Sequence, residues 1–191
     1  MVPLLHKYLF QAMWFGYFAY WWAMSWDVKA AERREPLPSR LTRLILIVGA
    51  GLLIGLPRIP LRLLNERFLP PESWCFWTGA AITATGLLFS VWARLHLGDN
   101  WSQAVTVKEG HELIQSGPYR LVRHPIYTGL LSAFAGSAIA RGEWRGLLAL
   151  GLIFVTLSNK LRLEEKWMRE QFGDSYENYC RRVSALVPRI F

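Results

Sequence analysis

Hydrophobic residues along this chain are concentrated in five blocks, which polar segments rich in Lys and Arg separate. Such blocks, in place of the periodicity of a soluble core, are typical of segments surrounded by lipid. Only the third block reaches the roughly 20 residues that a perpendicular helical crossing needs. The pattern predicts an all-α integral membrane protein with about five transmembrane helices. The blocks cover residues 8–24, 41–56, 74–97, 127–140 and 146–157.

The last two blocks predict a C-terminal helical hairpin, because only the polar stretch RGEWR, residues 141–145, lies between them. The second of these blocks continues into NKLRLEEKWMREQF, whose residues favour helix. One helix is therefore expected from Gly146 to about Phe172, with polar last turns that extend beyond the hydrocarbon. Residues 57–73 contain four prolines, and they predict a short interfacial helix in place of a crossing.

The distribution of charge predicts how these helices are oriented. The chain has 22 Lys and Arg against 14 Asp and Glu, and its ten tryptophans lie near the block ends, as expected for headgroup depth. The basic residues form neither a basic face nor a nucleic-acid motif, so anionic lipid is the expected partner and nucleic acid is not. If the blocks alternate in direction, 16 of the 22 lie on the side of the C-terminus. The positive-inside rule then predicts an outside N-terminus and a cytoplasmic C-terminus, in the inner membrane if the chain is bacterial.

The stretch GPYRLVRHPIYTG, residues 117–129, is the first candidate for chemistry. Pro125 fits the first turn of a helix, so His124 and Pro125 predict a helix start. The free backbone N–H groups of that turn, with Arg123 beside them, would favour an anion such as a carboxylate. The alternative is that Arg120, Arg123 and His124 are interfacial anchors and that the tyrosines belong to an aromatic belt.

Two adjacent acids beyond the fifth block are the second candidate. Glu164 and Glu165 point about 100° apart on a helix, and at i, i+4 spacing Lys160 shares a face with Glu164 and Arg169 with Glu165. Such acids serve either a functional site or a solvated face with helix-supporting ion pairs. His111 is a third candidate, although a lone loop histidine is usually structural or solvated.

Other kinds of site are not favoured by the sequence. Cys75 and Cys180 have neither a CxxC partner nor a nearby histidine at metal-ligand spacing, so no metal site is expected. No G-x-G-x-x-G follows a strand, and no Ser-His or Cys-His arrangement for a covalent nucleophile is evident.

One long segment carries a resemblance to a known family. GHELIQSGPYRLVRHPIYTG, followed after a hairpin by LEEKWMREQFGDSYENYCRRVSALVP, resembles the isoprenylcysteine carboxyl methyltransferases and their bacterial and archaeal relatives, which share this part with phospholipid methyltransferases. The match covers roughly residues 98–188. It implies a membrane methyltransferase that uses S-adenosylmethionine in a cytoplasmic pocket without a Rossmann domain. It also implies a methyltransferase core over residues 74–191, preceded by membrane helices and an interfacial loop over residues 1–73.

The resemblance assigns residues to the site one by one. Arg123 would orient the acceptor or close the pocket, and Lys160 stands where the animal enzymes have an arginine for the substrate carboxylate, with Arg162 as an alternative. Glu165 would serve as the base if the acceptor were an amine. The implied cofactor-binding residues are Gln103, His111, Glu112, Leu113, Ile114, Tyr119, His124, Pro125, Ile126, Tyr127 and Glu164.

The acceptor is the part of the function that the sequence leaves most open. The local pattern favours carboxyl methylation of an isoprenylcysteine-like lipidic acceptor, or a lipidated substrate, that arrives from the bilayer. Three alternatives remain: N-methylation of a phospholipid such as phosphatidylethanolamine, a non-catalytic lipid-binding membrane protein, and an NADPH-dependent reductase, since sterol reductases share a distantly similar core.

Overall fold

The structure is a computed structural model that describes residues 2–24, 36–98 and 113–188, with the backbone alone for residues 2–7. Within these ranges the regular structure is helical, apart from an isolated bridge between Arg67 and Glu143. Two short 3-10 turns cover Arg62–Asn65 and Gly117–Arg120. The α-helices are α1 (Val2–Ala23), α2 (Leu37–Gly55), α3 (Ser73–Leu97), α4 (Pro125–Arg141), α5 (Trp144–Phe172) and α6 (Asp174–Arg182).

Helices α1 to α5 coincide with the five predicted blocks, and α5 continues to Phe172 as expected. The interfacial helix predicted within residues 57–73 is reduced to the four-residue 3-10 turn Arg62–Asn65. Its prolines explain the difference, because proline supplies no backbone N–H to a continuing helix. The nine-residue α6 was not predicted as a separate helix.

The chain is a helical membrane protein, and three of its described helices are long and apolar enough to cross a membrane: α2, α3 and α5. Helix α4 has 17 residues, which at 1.5 Å per residue gives about 25 Å. That length is shorter than the roughly 30 Å of bilayer hydrocarbon. Length and composition therefore support a membrane crossing for three of the five predicted helices.

Helices α3 and α4 are in close contact because glycine faces glycine at two levels. Gly79 faces Gly136, and Gly86 faces Gly129; a Cβ atom at any of the four would lie less than 3.0 Å from backbone atoms of the other helix. Small residues allow such approach in lipid, where van der Waals packing drives helix association. This packing holds the start of α4 against the C-terminal half of α3.

Helices α1 and α2 lie against different parts of this core. Helix α1 packs on α3 and α4, where the Tyr17 hydroxyl and Ser90 Oγ are 2.8 Å apart and Trp14 Nε1 donates to Ser137 Oγ at 3.1 Å. Helix α2 packs mainly on α5, with Ala50 buried in the shared core. Because α1 and α2 pack against different helices, a cavity remains between them.

The turn between α4 and α5 is tied to the segment that follows α2. Gly142 ends α4 with φ 66°, a left-handed conformation that suits glycine. The buried Arg145 donates to the carbonyl oxygens of Leu56 at 2.8 Å and Pro57 at 3.0 Å, and it pairs with Glu143 at 2.5 Å. These contacts close the bundle at the end opposite to His124.

Candidate functional site

The C-terminal segment pairs with the start of α4 at the other end of the bundle. Helix α4 begins at Pro125 with His124 as its N-cap, which confirms the predicted helix start. The backbone amide of Arg123 donates to Ser184 O at 2.9 Å, and that of His124 donates to Ala185 O at 3.0 Å. These bonds bring the residues after α6 next to the residues that precede α4.

Fewer amide groups than expected are available at this helix start. The backbone amides of Tyr127 and Thr128 both donate to the His124 carbonyl oxygen at 3.0 Å. The predicted anion site on these N–H groups is therefore weaker than the sequence suggested, and charged side chains dominate the region. We call it the charged end and define it by Arg123, His124, Lys160, Glu164 and Glu165.

His124 lies between the two acids of α5. Its Nδ1 atom is 3.5 Å from Glu164 Oε2, and its Nε2 atom is 3.4 Å from Glu165 Oε1. Burial opposes protonation of the imidazole, but the two carboxylates outweigh it and raise the pKa of His124 above its usual value. Nε2 is buried, and among the described residues it faces Glu165 without a well-oriented hydrogen bond. Both imidazole nitrogens therefore face carboxylates, and His124 lines the cavity beside Glu164.

Glu164 points toward the cavity and is surrounded by groups that favour its charge. It accepts a hydrogen bond from the Tyr127 hydroxyl at 2.5 Å and lies 3.5 Å from Lys160 Nζ. The Lys160 ammonium is also 5.4 Å from the centroid of the Tyr127 ring, and this ring stacks on His124 at 5.4 Å between centroids. The predicted pairing of Lys160 with Glu164 is therefore present in the structure.

Glu165 points away from the cavity and connects α5 to the C-terminal segment. It accepts hydrogen bonds from Arg123 Nε at 3.0 Å and Nη2 at 2.6 Å, and from Arg169 Nη2 at 3.2 Å. Arg123 Nη1 additionally donates to the carbonyl oxygens of Val183 and Cys180. The predicted pair of Glu165 and Arg169 is present, and Arg123 is held from several sides.

Buried tyrosines complete the wall near the charged end. The Tyr179 hydroxyl donates to the backbone oxygen of Tyr119 at 2.5 Å, and Tyr176 packs edge-to-face on Tyr179. Burial raises the pKa of all three tyrosine hydroxyls, so they stay neutral donors at physiological pH.

One cavity of about 1090 Å³ connects the charged end with an apolar region between α1 and α2. Most of the predicted site residues line it, whereas Glu165 does not. Lys160 also lines it, whereas the alternative Arg162 is exposed and is not part of the wall. Gln103, His111 and Glu112 lie outside the described residues. The predicted residues that line the cavity are Leu113, Ile114, Tyr119, Arg123, His124, Pro125, Ile126, Tyr127, Lys160 and Glu164.

Sequence reasoning missed several residues of the cavity wall. Arg43 of α2 was counted only as a basic loop residue, and Met168, Tyr176 and Tyr179 were given no role, although both tyrosines occur in the quoted C-terminal motif. The role of Arg43 could have been suggested by its helical spacing from the apolar residues that follow it in α2. Among the described residues, no group of three or more His, Cys, Asp or Glu could hold a metal ion.

Comparison with known proteins relates the C-terminal half of the chain to methyltransferases. The family model described as phospholipid methyltransferase matches residues 74–175, from α3 to the first turn of α6. A probable protein-S-isoprenylcysteine O-methyltransferase of Oryza sativa subsp. indica is 26% identical over 157 residues, which cover 78% of this chain and 82% of that protein. The match thus extends into the N-terminal helices.

Two further relatives have names that specify different methyl acceptors. The protein-S-isoprenylcysteine O-methyltransferase of Schizosaccharomyces pombe is 32% identical over 101 residues, 51% of this chain and 43% of that protein. Methanethiol S-methyltransferase 1 of Bradyrhizobium diazoefficiens is 36% identical over 70 residues, 37% of this chain and 24% of that protein. The shared feature of these names is methyl transfer, and the acceptor varies.

Proposed function

This chain belongs to the phospholipid methyltransferase family and is a membrane methyltransferase, and we propose that it uses S-adenosylmethionine to methylate the carboxylate of an isoprenylcysteine-like lipidic acceptor. One observation carries the proposal: a single cavity joins the charged end to an apolar region. A polar donor and a lipidic acceptor require these two environments side by side. The volume of about 1090 Å³ is slightly above the roughly 300–1,000 Å³ range of ligand pockets, as a site for a donor and an acceptor requires.

The residues of the charged end fit the chemical groups of S-adenosylmethionine. When bound, this cofactor supplies a methyl group on a sulfonium, and it also has an ammonium, a carboxylate and an adenosine. Glu164 provides a carboxylate for the cationic groups, and Arg123 and His124 line the same wall and favour the anionic one. Leu113, Ile114 and Tyr119 provide apolar and aromatic wall for the adenosine. Gln103, His111 and Glu112 are assigned to the cofactor by the resemblance alone.

The protein's part in the reaction is alignment and removal of water. A carboxylate acceptor is already nucleophilic, so positioning accounts for most of the catalysis. Lys160 lines the cavity 3.5 Å from Glu164, where its ammonium can hold an acceptor carboxylate beside the cofactor. Arg123, fixed by Glu165 and by backbone carbonyls, closes the wall.

The position of Glu165 favours a carboxylate acceptor over an amine. Phospholipid N-methylation requires a base that removes a proton from the amine. Glu165 was the residue predicted for that role, but it pairs with Arg123 and Arg169 and is not part of the cavity wall. Phosphatidylethanolamine is therefore the less favoured acceptor, and the transfer assay below tests it.

The proposal includes the placement of the protein in the bilayer. Helices α1 and α4 would also cross, the short α4 within a locally thinned bilayer, and the charged end would face the cytoplasm. The N-terminus would be outside, and the membrane of a bacterial cell would be the inner one. Residues 74–191 would form the catalytic core, and residues 1–73 would contribute further residues to the cavity wall. C-terminal fusions test this placement, since green fluorescent protein must fluoresce and alkaline phosphatase must stay inactive if the C-terminus is cytoplasmic.

Binding and transfer assays on detergent-purified protein test the reaction. Calorimetric titration should detect S-adenosylhomocysteine and not NADPH; binding of NADPH alone would reject the proposal. Radiolabelled methyl transfer should then be measured with a farnesylated cysteine analogue, phosphatidylethanolamine and methanethiol. Base-labile label in the farnesylated compound identifies the ester, whereas label in either of the other two acceptors alone would reject the carboxylate.

A further inference from the structure

Helix α2 lies outside the residues that the family model matches, yet it forms a continuous wall of the cavity. Its cavity-lining residues recur at helical intervals: Arg43, Ile47, Gly51, Ile54 and Gly55. At 1.5 Å per residue this stripe is roughly 16 Å long from Arg43 to Ile54. One face of α2 therefore presents a guanidinium followed by an apolar surface of the length of a lipid chain.

Arg43 lies at the part of the stripe nearest to the charged end. It interacts electrostatically with Tyr127, and Lys160 of α5 lies over the same aromatic ring. Arg43 and Lys160 thus bring two cations from two helices to the lining of the same cavity. Glu164 is the only acid among the cavity-lining residues that the structure describes. Along the largely apolar walls of the cavity, this excess of positive charge favours an anionic ligand.

The apolar part of the stripe has room for a chain. A Cβ atom at Gly51 would meet nothing within 4 Å, so helix packing does not require a glycine there. Aromatic side chains of α1, among them Trp14 and Phe18, form another wall of the same cavity. Since α1 packs on α3 and α4 while α2 packs on α5, the space between these walls is not needed to hold the helices together.

We propose that α2 selects the acceptor: Arg43 binds the carboxylate of a single-chain amphiphile together with Lys160, and the face from Ile47 to Ile54 holds its apolar chain. A guanidinium contributes two parallel N–H donors to a carboxylate, which the ammonium of Lys160 lacks. The reaction that follows rests on the proposed function, but binding of the amphiphile needs no methyl donor. The inference is therefore testable by binding alone.

The charge part of the proposal is tested with an acid and its methyl ester. Binding of N-acetyl-S-farnesylcysteine and of its methyl ester to the full-length protein is measured by calorimetry in detergent, without donor. Arg43→Gln should weaken binding of the acid by roughly 10- to 100-fold, the effect of one lost charge-assisted interaction, and should leave binding of the ester nearly unchanged. Arg40→Gln is the matched control, because Arg40 is exposed in the first turns of the same helix and does not line the cavity.

The chain part of the proposal is tested with Gly51→Leu. The added side chain should weaken binding of the farnesylated acid on the order of tenfold by overfilling the cavity, and should leave the acid with a five-carbon prenyl chain unaffected. Gly49→Leu is the matched control, since Gly49 also has nothing within 4 Å of an added Cβ but does not line the cavity.

Several outcomes would overturn the assignment of α2. These are equal losses for acid and ester in Arg43→Gln, equal effects of the Arg43 and Arg40 variants, or no difference between the Gly51 and Gly49 variants. Tighter binding of farnesylamine than of the acid would also overturn it. If Arg43→Gln or Gly51→Leu fails to fold, Arg43→Lys, which should restore part of the preference for the acid, and Gly51→Ala replace them. If the wild type prefers the acid, Arg43→Gln removes that preference and S-adenosylhomocysteine does not bind, the proposed function is rejected and the role of α2 is retained.

Discussion

His124 Nδ1 lies 3.5 Å from Glu164 Oε2, so the start of α4 and the second half of α5 converge at one end of the bundle. A small charged ligand bound there would touch both elements at once. The proposed site for the methyl donor depends on this convergence. Its two acids, Glu164 and Glu165, can be substituted separately. Glu164 faces the cavity, whereas Glu165 pairs with Arg123, which donates in turn to the C-terminal segment.

Glu164→Gln should weaken binding of S-adenosylhomocysteine by roughly 10- to 100-fold, because the variant loses a charge-assisted interaction with the ligand. Glutamine has nearly the same shape and can still accept the hydrogen bond of Tyr127, so the fold should be retained. Calorimetry measures the affinity, with Glu170→Gln, an exposed position on the same helix, as the control. Wild-type affinity in Glu164→Gln would remove Glu164 from the site.

Arg123→Met and Glu165→Leu should each lower the free energy of unfolding by about 1–3 kcal/mol, because each removes the strongest partner of a mostly buried charge that keeps its weaker contacts. The two side chains are 11% and 10% exposed. The double variant should lose less than the sum of the single ones, since it removes both charges. Denaturant unfolding in detergent measures all three values, and strict additivity would show that the pair does not couple α5 to the C-terminal segment.

The stability of the protein should depend on the protonation of His124. The neighbouring carboxylates raise the pKa of His124 in the folded state, so its ion pairs stabilise the fold fully below the unfolded value of about 6.5. That contribution is lost as the pH rises through the raised pKa. Tm measured from pH 6 to 9 should fall more steeply in the wild type than in His124→Gln. Parallel curves would show that His124 does not titrate in this range.

Gly86→Ala should destabilise the contact of α3 with α4 by about 1–3 kcal/mol, because the added methyl group overpacks a tight interface. A Cβ at Gly86 would lie 2.5 Å from Gly129 O. Gly151→Ala on α5 is the control, since a Cβ there meets nothing within 4 Å. Equal Tm values for the two variants would mean that the interface of α3 and α4 accommodates the added methyl group, so that close glycine packing is not required there.

Local sequence patterns were sufficient to predict most of the helices and the residues that lie at the charged end. Block length and the proline at position 125 predicted α3, α4 and α5, since both signals act within a few residues. The interfacial helix within residues 57–73 was overestimated, because its prolines interrupt the backbone hydrogen bonds. Gln103, His111 and Glu112 remain predictions outside the described residues.

The sequence by itself determined that this is a helical membrane protein of a methyltransferase family, because apolar blocks and motif spacing are properties of neighbouring residues. Only the tertiary structure decided which of two adjacent acids faces the cavity. Glu164 and Glu165 differ by about 100° around one helix, and that angle has meaning only once α4 lies on one side and the C-terminal segment on the other. The same reason applies to Arg43, whose place in the wall depends on how α2 packs on α5.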